Sequence, residues 1–140
     1  MVRTKLAEML KRHEGLRLLP YKDTVGKLTI GYGRNIEDVG ISKQEAEFML
    51  QGDMYRGEEA LKNALPFFES LDEVRQDVLI DMAFMGIKKL LGFVKMLDYI
   101  RQGIYDHAAI ELLNSTYATQ VGNRAEELAE MMRTGQYKKV

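Results

Sequence analysis

Apolar residues recur along this chain at two different spacings, and the changes from one to the other mark out its elements. Leu6, Met9 and Leu10 fall at helical intervals among Lys5, Glu8, Lys11 and Arg12, so residues 3–13 read as an amphipathic helix with one buried stripe. From Leu16 to Gly33 the helical interval is lost. Short runs punctuated by Pro20, Gly26, Gly31 and Gly33 predict two or three short antiparallel strands, of which Leu28-Thr29-Ile30 is the best. Strand alternation sends Leu28 and Ile30 to one face and Thr29 to the other, which predicts two apolar side chains toward a core and a hydroxyl toward a cleft. The plainer alternative for Thr29 is a residue of high strand propensity on a solvent face.

Helical spacing returns after Gly40. Ser42 and Glu45 form the S-x-x-E pattern of a capping box, and Ala46, Met49, Leu50, Met54, Ala60, Leu61, Ala64 and Leu65 carry a long helix toward Pro66. Gly52 and Gly57 are either bend points in it or points of weakness. Ser70 and Glu73 repeat the box ahead of Val74, Val78, Leu79, Met82, Ala83 and Phe84, a strongly apolar helix expected at the centre of a second lobe. Gly86 and Gly92 bracket a connecting turn. Residues 93–102, 106–114 and about 122–132 then read as amphipathic helices, with Gly103 as a stop and Asp106 as a cap.

Composition narrows the picture. A chain of 140 residues, 46% hydrophobic and without cysteine, is one compact domain's worth of sequence held by packing alone, and two lobes sharing one long helix fit within it. The nine methionines sit mostly on the apolar stripes, as core filler. No run of about 18 apolar residues occurs, and the charged first twelve residues do not resemble a signal peptide. The expectation is a protein made in the cytoplasm without a signal peptide and without stable membrane insertion. The net charge of −1 hides an asymmetry: residues 1–34 carry eight Lys/Arg against three Asp/Glu, and residues 35–140 twelve against eighteen. Such a basic segment attracts anionic partners, though a solvated helix face accounts for it equally well. With no phosphate loop, no Ser-His-Asp elbow and no cluster at metal-ligand spacing, neither cofactor nor metal is expected.

The candidate chemistry lies between Glu14 and Arg34. Glu14 is followed at once by a helix-ending glycine, Asp23 opens the turn Asp23-Thr24-Val25-Gly26, and Thr29 sits on the best strand. Two carboxylates held at element ends and a hydroxyl on a strand are a set from which a glycosidase can draw a proton donor, a base and a group that orients water. Two carboxylates nine positions apart are by themselves ordinary surface residues.

Three submotifs in order, Glu14-Gly-Leu-Arg-Leu, Tyr21-Lys-Asp-Thr-x-Gly and Thr29-Ile-Gly-Tyr-Gly, resemble the catalytic segment of the phage-type lysozymes, the endolysins of glycoside hydrolase family 24. The resemblance continues through Ser70-Leu-Asp-x-Val-Arg, Ala83-Phe-Met-Gly, Gly92-Phe93, Asp106-x-Ala-Ala, Asn123-Arg-Ala and Arg133-Thr-Gly, and so covers nearly the whole chain. It implies a mostly helical α+β, two-lobed lysozyme-like fold with a small antiparallel sheet in the N-terminal lobe. That lobe would run over about 14–60, and a helical C-terminal lobe over about 66–140 together with helix 3–13. It implies cleavage of the β-1,4 bond between N-acetylmuramic acid and N-acetylglucosamine in peptidoglycan, with inversion. Glu14 would be the general acid, Asp23 would hold or activate the attacking water, and Thr29 would position it. Glu14 should then be partly buried or hold a neutralising partner, and Arg124 matches the family arginine expected to approach it. Tyr32, Phe84, Tyr117 and Arg124 are the expected substrate-binding residues. A monomer that reaches the wall through a holin-type pore and has no nucleic-acid partner is expected.

Departures from the family pattern carry expectations of their own. The link from Arg34 to the long helix is short, so the first lobe should be small and its cleft open. Arg34 stands where a histidine is usual and should form a structural ion pair with Asp53. A polar cleft residue is missing at Phe84-Met85-Gly86, and Tyr117 takes the place of a tryptophan. Two other readings compete: a cell-wall binding module that keeps the fold with weak or no turnover, and a small helical adaptor whose basic N-terminal segment meets nucleic acid. The intact Glu14, Asp23 and Thr29 oppose the first; the acidic remainder of the chain and the lack of interleaved aromatic residues oppose the second.

Overall fold

The structure, a computed structural model, describes residues 2–139. It has the mostly helical α+β fold expected, in two compact units, Met1–Met49 and Leu50–Val140. The division therefore differs from the one anticipated. The first helix is grouped with the sheet, and the boundary falls inside the long helix instead of at its end.

The first unit opens with α1 (Thr4–Glu14), which Gly15 stops at φ 71°, its N–H donating to the Lys11 carbonyl. Three antiparallel strands follow: β1 (Arg17–Lys22), β2 (Leu28–Gly31) and β3 (Arg34–Asn35), with β2 in the centre. Tyr21 pairs with Thr29 and Thr29 with Asn35, and the β1–β2 register is irregular between Arg17 and Tyr21. The alternation expected for β2 is present but inverted in its consequence. Thr29 is the buried side chain, at 3% exposure, whereas Leu28 is 37% exposed. The stripe of α1 is likewise uncovered: Leu6, Met9 and Leu10 stay at 39, 37 and 44% exposure. A sheet of three such short strands has too little face to bury them.

The long helix α2 (Lys43–Ala64) begins on the capping box read from the sequence. The Ser42 N–H donates to Glu45 Oε1 at 2.9 Å, and the Glu45 N–H donates to Ser42 Oγ at 3.1 Å. Neither internal glycine breaks the helix. At Gly57 a Cβ would make ordinary contact with Ile80 Cγ2 at 3.6 Å and Ala83 Cβ at 3.9 Å, so no close approach there requires glycine.

In the second unit a 3-10 turn (Phe68–Ser70) leads to α3 (Glu73–Ala83), then α4 (Ile87–Leu91), α5 (Val94–Gln102), α6 (Tyr105–Leu113), α7 (Thr116–Val121) and α8 (Asn123–Thr134). Their apolar faces close on one core, in which Leu61, Phe68, Val78, Leu79, Met82, Leu90, Leu112 and Met132 are fully buried. The second capping box does not form. Asp72 caps α3 by accepting the Arg75 N–H at 3.1 Å, and Ser70 turns back to donate to the Phe67 carbonyl at 2.6 Å. Asp106 is not a cap either: it lies in the first turn of α6, whose N-cap is Ile104. Gly103 does stop α5, in the left-handed region at φ 76°. The turn expected between Gly86 and Gly92 is the short helix α4, and Asn114-Ser-Thr joins α6 to α7, with Ser115 capping the latter.

Candidate functional site

Glu14, Asp23 and Thr29 all belong to the first unit, and main-chain geometry at one residue ties two of them together. The Asp23 N–H donates to the Lys27 carbonyl at 2.9 Å, closing the β1–β2 turn, and the Lys27 N–H returns to Asp23 Oδ1 at 2.8 Å. A second donor, the Val25 N–H, reaches the same Oδ1 at 2.9 Å. Asp23 is thus an Asx-type turn residue with one oxygen saturated by backbone donors, which leaves Oδ2 to face solvent. The Lys27 carbonyl also accepts from the Thr29 hydroxyl at 2.9 Å. The proton of that hydroxyl is committed, so Thr29 Oγ1 meets any further partner as an acceptor.

Glu14 is the last residue of α1 and is exposed, which departs from the partial burial expected of it. Among the described residues no ion pair engages it. Its position is set by packing: the carboxylate lies over the bare Cα of Gly33, where an added Cβ would fall 2.5 Å from Oε2 and 2.8 Å from Cδ. Next to this contact Lys11 Nζ stands 5.4 Å from the centre of the Tyr32 ring, a cation–π approach between α1 and the β2–β3 turn. Tyr32 is 46% exposed and, with Ile30, Ile36, Phe48 and Met49, borders an open cavity of about 600 Å³.

The ion pair assigned to Arg34 and Asp53 is corrected. Arg34 holds Glu45 with two bonds, Nη1 to Oε1 at 3.0 Å and Nη2 to Oε2 at 2.6 Å, and donates to the Gly40 carbonyl at 3.1 Å. Asp53 pairs with Arg56, one turn along its own helix. The reason is the capping box, which fixes Glu45 at the start of α2 beside β3, while Asp53 lies roughly 12 Å further along the helix axis. The Arg34 bonds, with the Ser42 N–H second, bring the Glu45 carboxyl down from 4.5 to about 2. Because the folded value is depressed, this pair stabilises the fold above the ordinary carboxylate range, and the contribution is lost as pH falls through about 2. Thermal unfolding should therefore place Glu45→Gln below the wild type at pH 6, and the two should converge as pH approaches 2.

The other candidate residues lie in the second unit. Arg124 is bound to Asp81, with Nε to Oδ1 at 2.9 Å and Nη2 to Oδ1 at 2.7 Å. Phe84 is 50% exposed and, together with Met54, Tyr55, Ile80 and Arg124, lines a cavity of about 580 Å³. Tyr117 is corrected from a substrate-binding residue to a core residue: it is 7% exposed and meets Phe93 edge-on, with ring centroids 6.1 Å apart. Burial raises its phenol pKa, and Asp81 adds to the shift against the opposing charge of Arg124.

Gly33 and the main chain of Lys27 are the parts of this site that carried no role in the sequence. The Gly-x-Gly spacing was the available signal for the first. The second had none, because the Lys27 side chain takes no part. An open turn carrying a carboxylate beside a strand hydroxyl, with a glutamate at a helix end packed on glycine, has the makings of a two-carboxylate hydrolase. The Phage lysozyme family profile matches residues 11–133. The chain belongs to the phage lysozyme family. It is similar over nearly its whole length to Probable T4-type lysozyme 2 of Dictyostelium discoideum, at 30% identity over 96% of this chain and 97% of that one. An Endolysin of Acyrthosiphon pisum secondary endosymbiont phage 1 is 28% identical over 83% of this chain and 80% of its own. The Pre-baseplate central spike protein Gp5 of Enterobacteria phage T4 is 30% identical over 93% of this chain, which spans 28% of that larger protein. This is a lysozyme-family hydrolase.

Proposed function

We propose that the protein cleaves the β-1,4 bond between N-acetylmuramic acid and N-acetylglucosamine in peptidoglycan, with inversion at the sugar carbon. The observation that carries this is the one-sided engagement of Asp23. Its Oδ1 is pinned by the N–H groups of Val25 and Lys27, so Oδ2 is oriented without being occupied. Water accepted there gives a proton to Asp23 as its oxygen attacks the sugar carbon. Thr29 Oγ1, whose own proton points to the Lys27 carbonyl, accepts the other water hydrogen and aims the lone pair. Glu14 passes its proton to the glycosidic oxygen, so the bond to the leaving sugar breaks as the bond to water forms. A sugar ring seated over the exposed Glu14 excludes water from that carboxyl. Tyr32 and Phe84, both exposed aromatic residues, are suited to ring faces of the substrate. Arg124, held by Asp81, is suited to the anionic groups of the substrate. The proposed protein is a monomer without nucleic-acid partners that serves host-cell lysis after passage through a holin-type pore.

Proton NMR of freshly cleaved peptidoglycan fragments tests the reaction. The first product signal should be the α-anomer, with the β-anomer growing in as the sugar mutarotates. A β-anomer first would mean retention and make Asp23 a nucleophile. Binding without any release of reducing ends, on several wall types, would favour the binding-module reading instead.

A further inference from the structure

We infer that Gly33 is a positioning residue for Glu14, and that its missing side chain is a requirement of turnover as well as of the turn. The inference rests on the reading of Glu14 as the general acid. Two separate constraints meet at Gly33. Its φ of 72° lies in the left-handed region that side chains disfavour, a constraint shared with Gly31 at 73° and Gly40 at 68°. The second is its own. A Cβ at Gly31 or Gly40 meets nothing within 4 Å, whereas one at Gly33 falls 2.5 Å from Glu14 Oε2, 2.8 Å from Cδ and 3.1 Å from Cγ.

Glu14 ends its helix exposed and without an ion pair among the described residues, so nothing polar dictates its rotamer. The flat Cα of Gly33 supplies a wall on one side. A methyl group there can be accommodated, because the glutamate is flexible, but only by swinging the carboxyl away from the place it now occupies. The proton would then be delivered to the wrong point, and misplacement by about 1 Å costs roughly a hundredfold in rate where geometry carries the catalysis. The Lys11–Tyr32 approach is a further contact between α1 and the turn that carries Gly33.

The test compares Gly33→Ala, Gly33→Asn and Gly40→Ala for kcat and KM on peptidoglycan, with thermal unfolding of each. Asparagine tolerates a positive φ, and so provides a folded variant if alanine does not. The expected result is a fall in kcat of about tenfold to a hundredfold for the Gly33 variants at little changed KM. Gly40→Ala, which carries the same backbone strain, should keep the kcat of the wild type. The thermal cost of Gly33→Ala should also shrink in a Glu14→Ala background, while that of Gly40→Ala stays the same. Full kcat in a folded Gly33 variant, an equal loss in Gly40→Ala, or a cost unchanged by removing Glu14 would each overturn the inference. Glu14→Gln separates the two failures: if it stays active, the acid assignment falls, and if it alone is inactive, only the positioning role does.

Discussion

Glu14→Gln is expected to fold as the wild type does and to release reducing sugar from peptidoglycan about a hundredfold or more slowly. The expectation of an intact fold follows from the surroundings of the side chain. Glu14 is exposed at the end of α1, and no ion pair among the described residues depends on its charge. Glutamine has nearly the same shape, so the packing against Gly33 survives. What is lost, on the proposed mechanism, is the proton for the leaving oxygen. Circular dichroism and a reducing-sugar assay decide it together. A folded variant that keeps its rate would remove Glu14 as the acid. Asp23→Asn is the companion: its amide oxygen can still accept from Val25 and Lys27, but the nitrogen in place of Oδ2 cannot take a proton from water.

The sequence was readable where a local rule also held globally. The α1 interval, the strand punctuation, the Ser42–Glu45 box and the stop at Gly103 depend on neighbours within a few positions, and all four are present in the structure. Where two local rules competed, tertiary bonds chose. Ser70 and Asp72 are both good caps, and Asp72 takes the role while Gln76 spans the preceding turn, donating to the Phe68 and Leu71 carbonyls at 3.0 and 3.1 Å. Helices α4 and α7, five and six residues long, are too short to show a full apolar period.

The site divides in the same way. The turn at Asp23 was legible from its glycine, and the Glu14 helix end from Gly15. Which carboxylate Arg34 would choose depends on where α2 begins relative to β3, and pattern along the chain does not encode that. The inward turn of Thr29 is a further case: alternation gave the two faces of β2 but not which of them is covered. Tyr117 shows the converse, since a resemblance to a substrate-contacting position does not reveal that the ring packs edge-on to Phe93.

Arg75→Met should cost about 3 kcal/mol of stability, the largest loss expected from a single polar side chain in the second unit. Arg75 is the sixth residue of the Ser70-Leu-Asp-x-Val-Arg motif, and its guanidinium joins three helices. Nε donates to the Met132 carbonyl at 2.7 Å and Nη2 to the Arg133 carbonyl at 3.1 Å, satisfying last-turn carbonyls that α8 cannot satisfy itself. Nη1 donates to Asp72, the cap of α3, at 3.0 Å, and the charged plane lies 3.6 Å from the centre of the Tyr105 ring at the start of α6. The side chain is only 14% exposed, so water does not readily replace these bonds. Even the following turn is adapted to it, since a Cβ at Gly135 would come within 2.9 Å of Nη1. Methionine fills much of the same volume, which makes the comparison one of lost bonds more than of a cavity. Lysine keeps the charge but has one nitrogen for three directions, so Arg75→Lys should recover less than half of the loss. Urea unfolding of the three proteins at constant slope measures both steps. Equal midpoints for Arg75→Lys and the wild type would show that charge alone, and not the fork of the guanidinium, holds α3, α6 and α8 together.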